Sequence, residues 1–352
     1  MSGFITLVLI ILVFIIIYQI GKAGEYAAVL REEAKSKAHT NKTIAWLLVA
    51  FFVLGMYGIW KCNKLFEGKL LPPSASEQGV NYDSMFMYTL IVTGIVFFAT
   101  QAVLFWFAFR YQSTEKRTAF FYPHNNKLEI IWTTVPAIAM AALVAIGLRN
   151  WLNVTSEAPK DAAIVEVVGK QFNWLVRYPG KDGVLGKRDF RKINDANNIL
   201  GLDWNDKDNM DDVIAQNGEL HLVVNKPVKL IIGSRDVIHD VGLPHFRMKM
   251  DAVPGIVTTM WFTPRFTTTQ MKEMTKNPDF VYEISCDQMC GKGHYSMRGT
   301  VIVQTQAEYD AWLMSQQSYY ATNNAPAAPA ASAADTTHTM QKTDTTKAVT
   351  MK

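Results

Sequence analysis

Cysteine is scarce in this chain: three in 352 residues, at Cys62, Cys286 and Cys290. That excludes a disulfide-rich secreted scaffold, in which many paired cysteines staple a short chain. Net charge is also small, +4, and both signs are interspersed. No cationic block is dense enough to make nucleic acid a partner. Charge is absent altogether from residues 2–20, "SGFITLVLIILVFIIIYQI". That run also lacks the basic leader and the small-residue cleavage site of a secretory signal, so a retained helix is expected.

Hydrophobic residues make up 49% of the chain and concentrate before residue 150. Besides residues 2–20, apolar runs occupy 43–60, 85–109 and 130–148. Each is long enough to cross roughly 30 Å of hydrocarbon at about 1.5 Å per residue, which predicts four membrane spans. Lys22, Arg31, Lys35, Lys37 and Lys42 follow the first run, and Arg110, Lys116, Arg117 and Lys127 follow the third. The Lys/Arg bias of cytoplasmic loops puts both segments inside and everything after residue 150 on the outer face. Glu129 stands at the inner end of the fourth span. On position alone it is an interfacial carboxylate; ionisable groups at such borders also mark proton routes. Pro136 is expected to kink that helix. Cys62 lies just beyond the second run as a lone interfacial thiol.

After residue 163 the pattern changes. "AIVEVVG", "FNWLVRY", "ELHLVVN", "VKLIIGS", "HFRMKM", "TTMWFTP", "FVYEIS" and "GTVIVQT" are short runs rich in β-branched and aromatic residues, separated by Gly, Pro, Asn and Asp. Such spacing without long helices predicts an antiparallel sandwich or barrel. Residues 307–317 read as a closing helix. Residues 180–215 are polar and read as a solvated excursion between strands. Residues 319–352, rich in Ala, Pro, Ser and Thr, are too poor in apolar surface to offset chain entropy and are expected to be disordered.

The densest chemistry is "ISCDQMCGKGHYSM", with Cys286, Cys290, His294 and Met297 inside twelve residues. A Cys286–Cys290 disulfide is allowed on an oxidising face but leaves the histidine and methionine unexplained. Zinc favours tetrahedral Cys/His sets, and a thioether is a poor partner for it. Thiolates, imidazole and thioether together favour copper. A mononuclear blue site uses one cysteine; two thiolates can bridge two metals. A second imidazole must come from elsewhere, with His221, His239 and His245 as candidates. His239 and His245 both lie in a loop-like stretch, and spacing does not choose between them.

"SRDVIH", then "KMDAVPG", then Cys-x-x-x-Cys-Gly-x-x-His-x-x-Met resembles cytochrome c oxidase subunit II of the bacterial type. "LEIIWTTVP" resembles the second helix of that subunit's membrane hairpin, and the likeness covers roughly residues 83–315. It implies a hairpin over 83–150, a periplasmic cupredoxin-like domain over 152–318, and an extra N-terminal hairpin over 1–61. It implies a binuclear copper (CuA) centre held by His239, Cys286, the carbonyl of Gln288, Cys290, His294 and Met297. It also implies electron receipt from cytochrome c, transfer to heme in a catalytic subunit, and a bacterial inner-membrane location. Subunit I and other oxidase subunits are the implied partners, and Glu129 matches the family's carboxylate at a proton channel. A copper module without an oxidase role, or the CuA domain of a nitrous oxide reductase, are the alternatives. The latter needs a histidine-rich propeller for which this chain has no room.

Three departures from the family pattern stand out. Gln288 replaces a glutamate whose side chain helps bind a non-redox Mg or Mn ion. Phe172 replaces the tryptophan that receives the electron, with Trp174 retained; both are candidate electron-receiving residues and equally good strand-core residues. Ile256 stands where arginine is common. Asp236 is read as a local turn hydrogen bond.

Overall fold

The computed structural model of the chain describes residues 2–31, 34–69, 72–114, 117, 120–215 and 218–324. Four helices open it: α1 (Ser2–Arg31), α2 (Ala34–Leu65), α3 (Glu77–Arg110) and α4 (Asn126–Thr155). Each runs past the apolar stretch that predicts it, because intrahelical hydrogen bonding continues into the polar flanks until a cap stops it. Ser76 caps α3 by accepting from Gly79 N, and Asn125 caps α4 by accepting from Leu128 N. Helix α4 continues through Pro136. Cys62 sits inside the last turns of α2, not beyond it.

Among the described residues, three helices are long and apolar enough to cross a membrane: His39–Leu65, Glu77–Arg110 and Asn126–Thr155. The fourth expected span falls on α1, where the side chains of residues 1–10 lie outside the described set. Aromatic pairs join the row of helices. Phe14 meets Phe51 at 6.0 Å between α1 and α2, and Trp46 meets Phe109 at 4.9 Å between α2 and α3.

The rest is a two-sheet sandwich. One sheet has the order β3-β2-β1-β5-β8, with β1 (Ala163–Lys170), β2 (Asn173–Tyr178), β3 (Val213–Ile214), β5 (Val228–Ser234) and β8 (Thr258–Phe262). The other is β4-β10-β9-β6-β7, with β4 (Leu220–Val223), β6 (His239–Leu243), β7 (Met248–Ala252), β9 (Tyr282–Cys286) and β10 (Arg298–Gln304). The expectation of an antiparallel sandwich is corrected: β1 pairs β5, and β10 pairs β4, in parallel. The long crossovers from β1 to β5 and from β4 to β10 allow it. The short helix α5 (Thr268–Thr275) also interrupts the strands, and α6 (Gln306–Ser315) closes the domain. Trp174, Tyr178, Phe246, Phe262 and Tyr282 fill the interior with the aliphatic residues of both sheets. Each such side chain contributes about 1.5–3 kcal/mol by leaving water.

Residues 180–215 are not a solvated loop. They cover the outer face of the first sheet, where Leu200 and Leu202 pack on Val168 and Leu175 in a second small core. Arg177 projects into this layer and is buried. Its Nε donates to Glu166 at 2.6 Å, and its Nη1 donates to Asp212 at 2.8 Å and to Asn209 Oδ1 at 3.1 Å. Arg188 Nε reaches the other oxygen of Glu166 at 2.8 Å. A buried guanidinium left unpaired is strongly destabilising, so this network fixes the excursion to the sheet. The first residues of the stretch expected to be disordered are ordered. Tyr319–Asn324 form a short helix, α7, and Tyr319 OH accepts from Ile199 N at 3.0 Å. Residues 325–352 lie outside the described residues.

The segment before α3 is built into the sandwich. Arg265 N donates to Ala75 O at 2.8 Å, Ser76 Oγ donates to Phe246 O at 2.6 Å, and Thr263 N donates to Gln78 Oε1 at 3.0 Å. Arg247 forks onto Asp83 at 2.8 and 3.1 Å and donates to Pro72 O at 2.8 Å. The membrane helices and the sandwich are therefore stapled by buried polar contacts as well as joined through the chain.

Candidate metal centre

Strand β9 ends at Cys286, and β10 begins one residue after Met297. Cys286 N donates to Met297 O at 3.1 Å and closes the intervening loop. Inside it, Gly291 adopts φ +134, and a side chain there would strike Gln171 and Phe172. The loop thus folds back on itself and turns its sulfur atoms inward. Cys286 Sγ and Cys290 Sγ stand 3.7 Å apart as free thiols. A disulfide requires about 2.05 Å, so these two sulfurs are not joined to each other.

The other donors converge on this pair. His239 Nδ1 is 3.7 Å from Cys286 Sγ, and His294 Nδ1 is 3.7 Å from Cys290 Sγ. Met297 Sδ is 3.8 Å from Cys290 Sγ, and the Gln288 carbonyl oxygen is 3.1 Å from Cys286 Sγ. The ligand atoms of His239, Cys286 and Cys290 all lie within 4.8 Å of one another, a group able to hold a metal ion. All six residues named from the sequence therefore meet at one place. Two thiols, two imidazole nitrogens, a thioether and a carbonyl form a soft donor set that fits copper better than zinc. Burial, then the neighbouring Cys286, pushes the Cys290 thiol up to about 11, so a metal entering here must displace protons.

The choice among histidines is resolved by topology. His239 is not in a loop; it opens β6, which lies between β7 and β9 and so places the ring beside Cys286. Gly169 leaves room for it, since a Cβ there would come within 2.7 Å of the imidazole. His245 points instead between Phe280 and Tyr282, at 5.0 and 5.6 Å. His221 stacks on Trp312 at 3.7 Å.

Sequence reasoning missed how the donors are held. Asp236 makes more than a local turn bond: its Oδ1 lies 2.7 Å from His239 Nε2, and its Oδ2 accepts from Gln171 N at 2.7 Å. Burial raises its pKa, but the backbone donors and the His239 ring outweigh this and hold it below the ordinary value. Gln171 Nε2 in turn donates to Cys290 O at 2.6 Å. The Asp-x-x-His spacing was the available signal, because a carboxylate behind a ligating imidazole fixes its orientation.

Phe172 and Trp174 separate. Phe172 is partly exposed and lies over the ligand loop, where a Cβ on Gly293 would come within 2.6 Å of its ring. Trp174 is 1% exposed and packs edge-on against His239 at 6.1 Å. β2 turns Trp174 into the core, the strand-core placement, while Phe172 stays at the surface. Glu129 is remote, at the opposite end of α4 from the sandwich; its Oε1 accepts from Asn125 N at 3.3 Å. Gln288 and Ile256 are exposed, and the next residue after Cys286, Asp287, lines a cleft of about 300 Å³ with Glu283, Tyr295 and Arg298.

Residues 64–149 match the family model of the cytochrome c oxidase subunit II transmembrane domain, and residues 163–305 match that of its periplasmic domain. The alternative cytochrome c oxidase subunit 2 of Bradyrhizobium diazoefficiens is 39% identical over 255 residues, covering 72% of this chain and 87% of the relative. Cytochrome c oxidase subunit 2 of Cereibacter sphaeroides is 27% identical over 270 residues, covering 73% and 84%. The crystal structure of the periplasmic domain of cytochrome oxidase subunit II from Bradyrhizobium japonicum is similar at 25% identity and a TM-score of 0.30, covering 45% of this chain and 95% of that one. Two family models in series, one on the helices and one on the sandwich, place this chain in the cytochrome c oxidase subunit II family, and so among the subunits of heme–copper oxidases.

Proposed function

We propose that this chain receives electrons for its oxidase at a binuclear copper centre held by His239, Cys286, the Gln288 carbonyl, Cys290, His294 and Met297. The observation that carries this reading is the 3.7 Å sulfur pair flanked by two imidazole nitrogens and a thioether. A copper pair bound there supplies a one-electron store whose charge is shared between two metals.

The chain's own residues prepare that role. Cys286 and Cys290 would give up their protons and hold the metal as thiolates. His239 is held by Asp236, and the ligand loop by Gln171, so the donors are fixed before metal arrives. Little rearrangement of these side chains would then accompany a change of charge. The sandwich, on the periplasmic side of a bacterial inner membrane, receives electrons from a cytochrome c. It delivers them to heme in the catalytic subunit, where oxygen is reduced. Glu129, on the inner side, serves proton uptake. With Gln288 in place of glutamate, the side chain that would help hold Mg or Mn carries no charge.

Copper content and the EPR spectrum of the purified oxidase test the reading. A mixed-valence binuclear signal is expected, and Cys290→Ser should abolish it together with turnover. A single-copper blue signal in the parent protein would sink the assignment.

A further inference from the structure

Gly169 and Trp174 stand directly opposite each other where β1 pairs with β2. Residues so paired point to one face of the sheet, with Cβ positions about 4.5–5.5 Å apart. Trp174 belongs to the main core, so that face is the interior one. His239 reaches this pair from the other sheet and is fully buried. A Cβ on Gly169 would come within 2.7 Å of its ring, and the Trp174 indole stands 6.1 Å away at 63°.

Each member of the pair carries a local penalty. A glycine inside a strand packs nothing and loses more chain entropy than alanine does. Gly169 does not need that freedom, because its φ is not positive. The indole Nε1 of Trp174 is buried with no hydrogen-bond partner among the described residues. A buried N–H left unpaired is destabilising, and a phenylalanine or leucine would avoid it. The strand explains neither choice. The imidazole explains both: the missing Cβ opens a slot for the ring, and the indole forms its wall. Two adjacent departures from what the strand favours, both facing one ring, mark a functional constraint.

The other imidazole has no such seat. His294 opens the tight turn His294–Ser296 and is only partly buried. Among the described residues its side chain bonds to Cys290 Sγ and to no carboxylate.

Resting on the copper reading above, we infer that Gly169 and Trp174 are positioning residues for the ligand His239. They fix the plane of its ring from the opposite sheet, while Asp236 holds its Nε2. The two ends of the centre are therefore unequal: His239 is seated and His294 can adjust.

The test uses the purified oxidase with Trp174→Phe, Trp174→Leu and Gly169→Ala. Phe262→Leu, an equally buried ring of the same sheet that packs on Phe246, controls for loss of packing alone. Pulsed EPR reads the nitrogen couplings of the two ligating imidazoles, and Asp236→Asn identifies the one from His239. Trp174→Leu should change the His239 coupling, leave that of His294 in place and shift the reduction potential. Trp174→Phe should do the same to a smaller degree. Gly169→Ala should lower copper retention under a chelator challenge by about tenfold, as loss of a residue supporting a ligand does. Phe262→Leu should lower the melting temperature and leave both couplings and the potential unchanged. Unchanged His239 coupling in the copper-loaded variants overturns the inference, as does an equal change at both imidazoles or the same change in Phe262→Leu. Should Trp174→Leu and Gly169→Ala fail to fold, Trp174→Phe decides by the same criterion. A parent oxidase without the binuclear signal fails the copper reading itself; a parent with it confines any failure to the positioning role.

Discussion

The Asp236 carboxylate holds Nε2 of His239 at 2.7 Å while Nδ1 of the same ring faces Cys286 Sγ at 3.7 Å. One imidazole thus joins a carboxylate to a sulfur, and the carboxylate decides which nitrogen is free to ligate. Asp236→Ala should weaken copper retention about ten- to hundredfold, the usual loss when such a partner is removed. Asp236→Asn should fall between it and the parent. Copper stoichiometry after a graded chelator challenge measures this, and equal retention in all three proteins would count against the positioning role.

Met297 is 1% exposed, and its thioether lies 3.8 Å from Cys290 Sγ. Met297→Leu nearly conserves volume, so the cost in stability should stay below about 1.5 kcal/mol. The thioether is a weak ligand, and its loss should shift the reduction potential while the metal stays bound. Spectroelectrochemistry of the variant reads this directly; an unchanged potential would remove Met297 from the ligand set.

Glu129 and the copper ligands stand at opposite ends of the α4–sandwich axis. About 39 Å of helix separates Glu129 from Thr155, at 1.5 Å per residue. Glu129→Ala should slow proton uptake severalfold and leave the copper EPR signal unchanged. Altered copper signals with normal proton uptake would reverse the assignment.

Burial raises the Asp212 carboxyl to about 7 despite the nearby Arg177. A carboxyl whose folded pKa lies above its ordinary 3.8 binds its proton more tightly in the native state. Its contribution is therefore fully present below that ordinary value and is lost as pH rises through about 7. Melting temperature should decline across this window, and Asp212→Asn should flatten the decline. Asp240, also raised to about 7 by burial and by Asp251, supplies a remaining slope. An identical pH profile in Asp212→Asn would refute the assignment to this group.

The ligand cluster was legible because four of its side chains fall within twelve residues, where loop closure leaves them few other places to go. His239 was not, because its position depends on β6 lying beside β9, a pairing distant in sequence. β6 itself escaped notice: "HDVGL" is fully buried yet carries no alternation of polar and apolar residues. The excursion was misread for a related reason. Its many charges suggested solvent, but several are spent on one another or on Arg177, and the few leucines among them suffice to cover the sheet. The membrane runs were plain to read, since an unbroken apolar stretch has few other uses; their polar extensions were not, because capping lies outside hydropathy.

Arg247 and the buried bonds of Ala75, Ser76 and Gln78 leave the sandwich little freedom to swing about its helical stem. It behaves as a post set in a floor. The height of the sulfur pair above the helices is settled once, at folding, and under the proposed role a carrier must come to the site because the site does not travel to meet it.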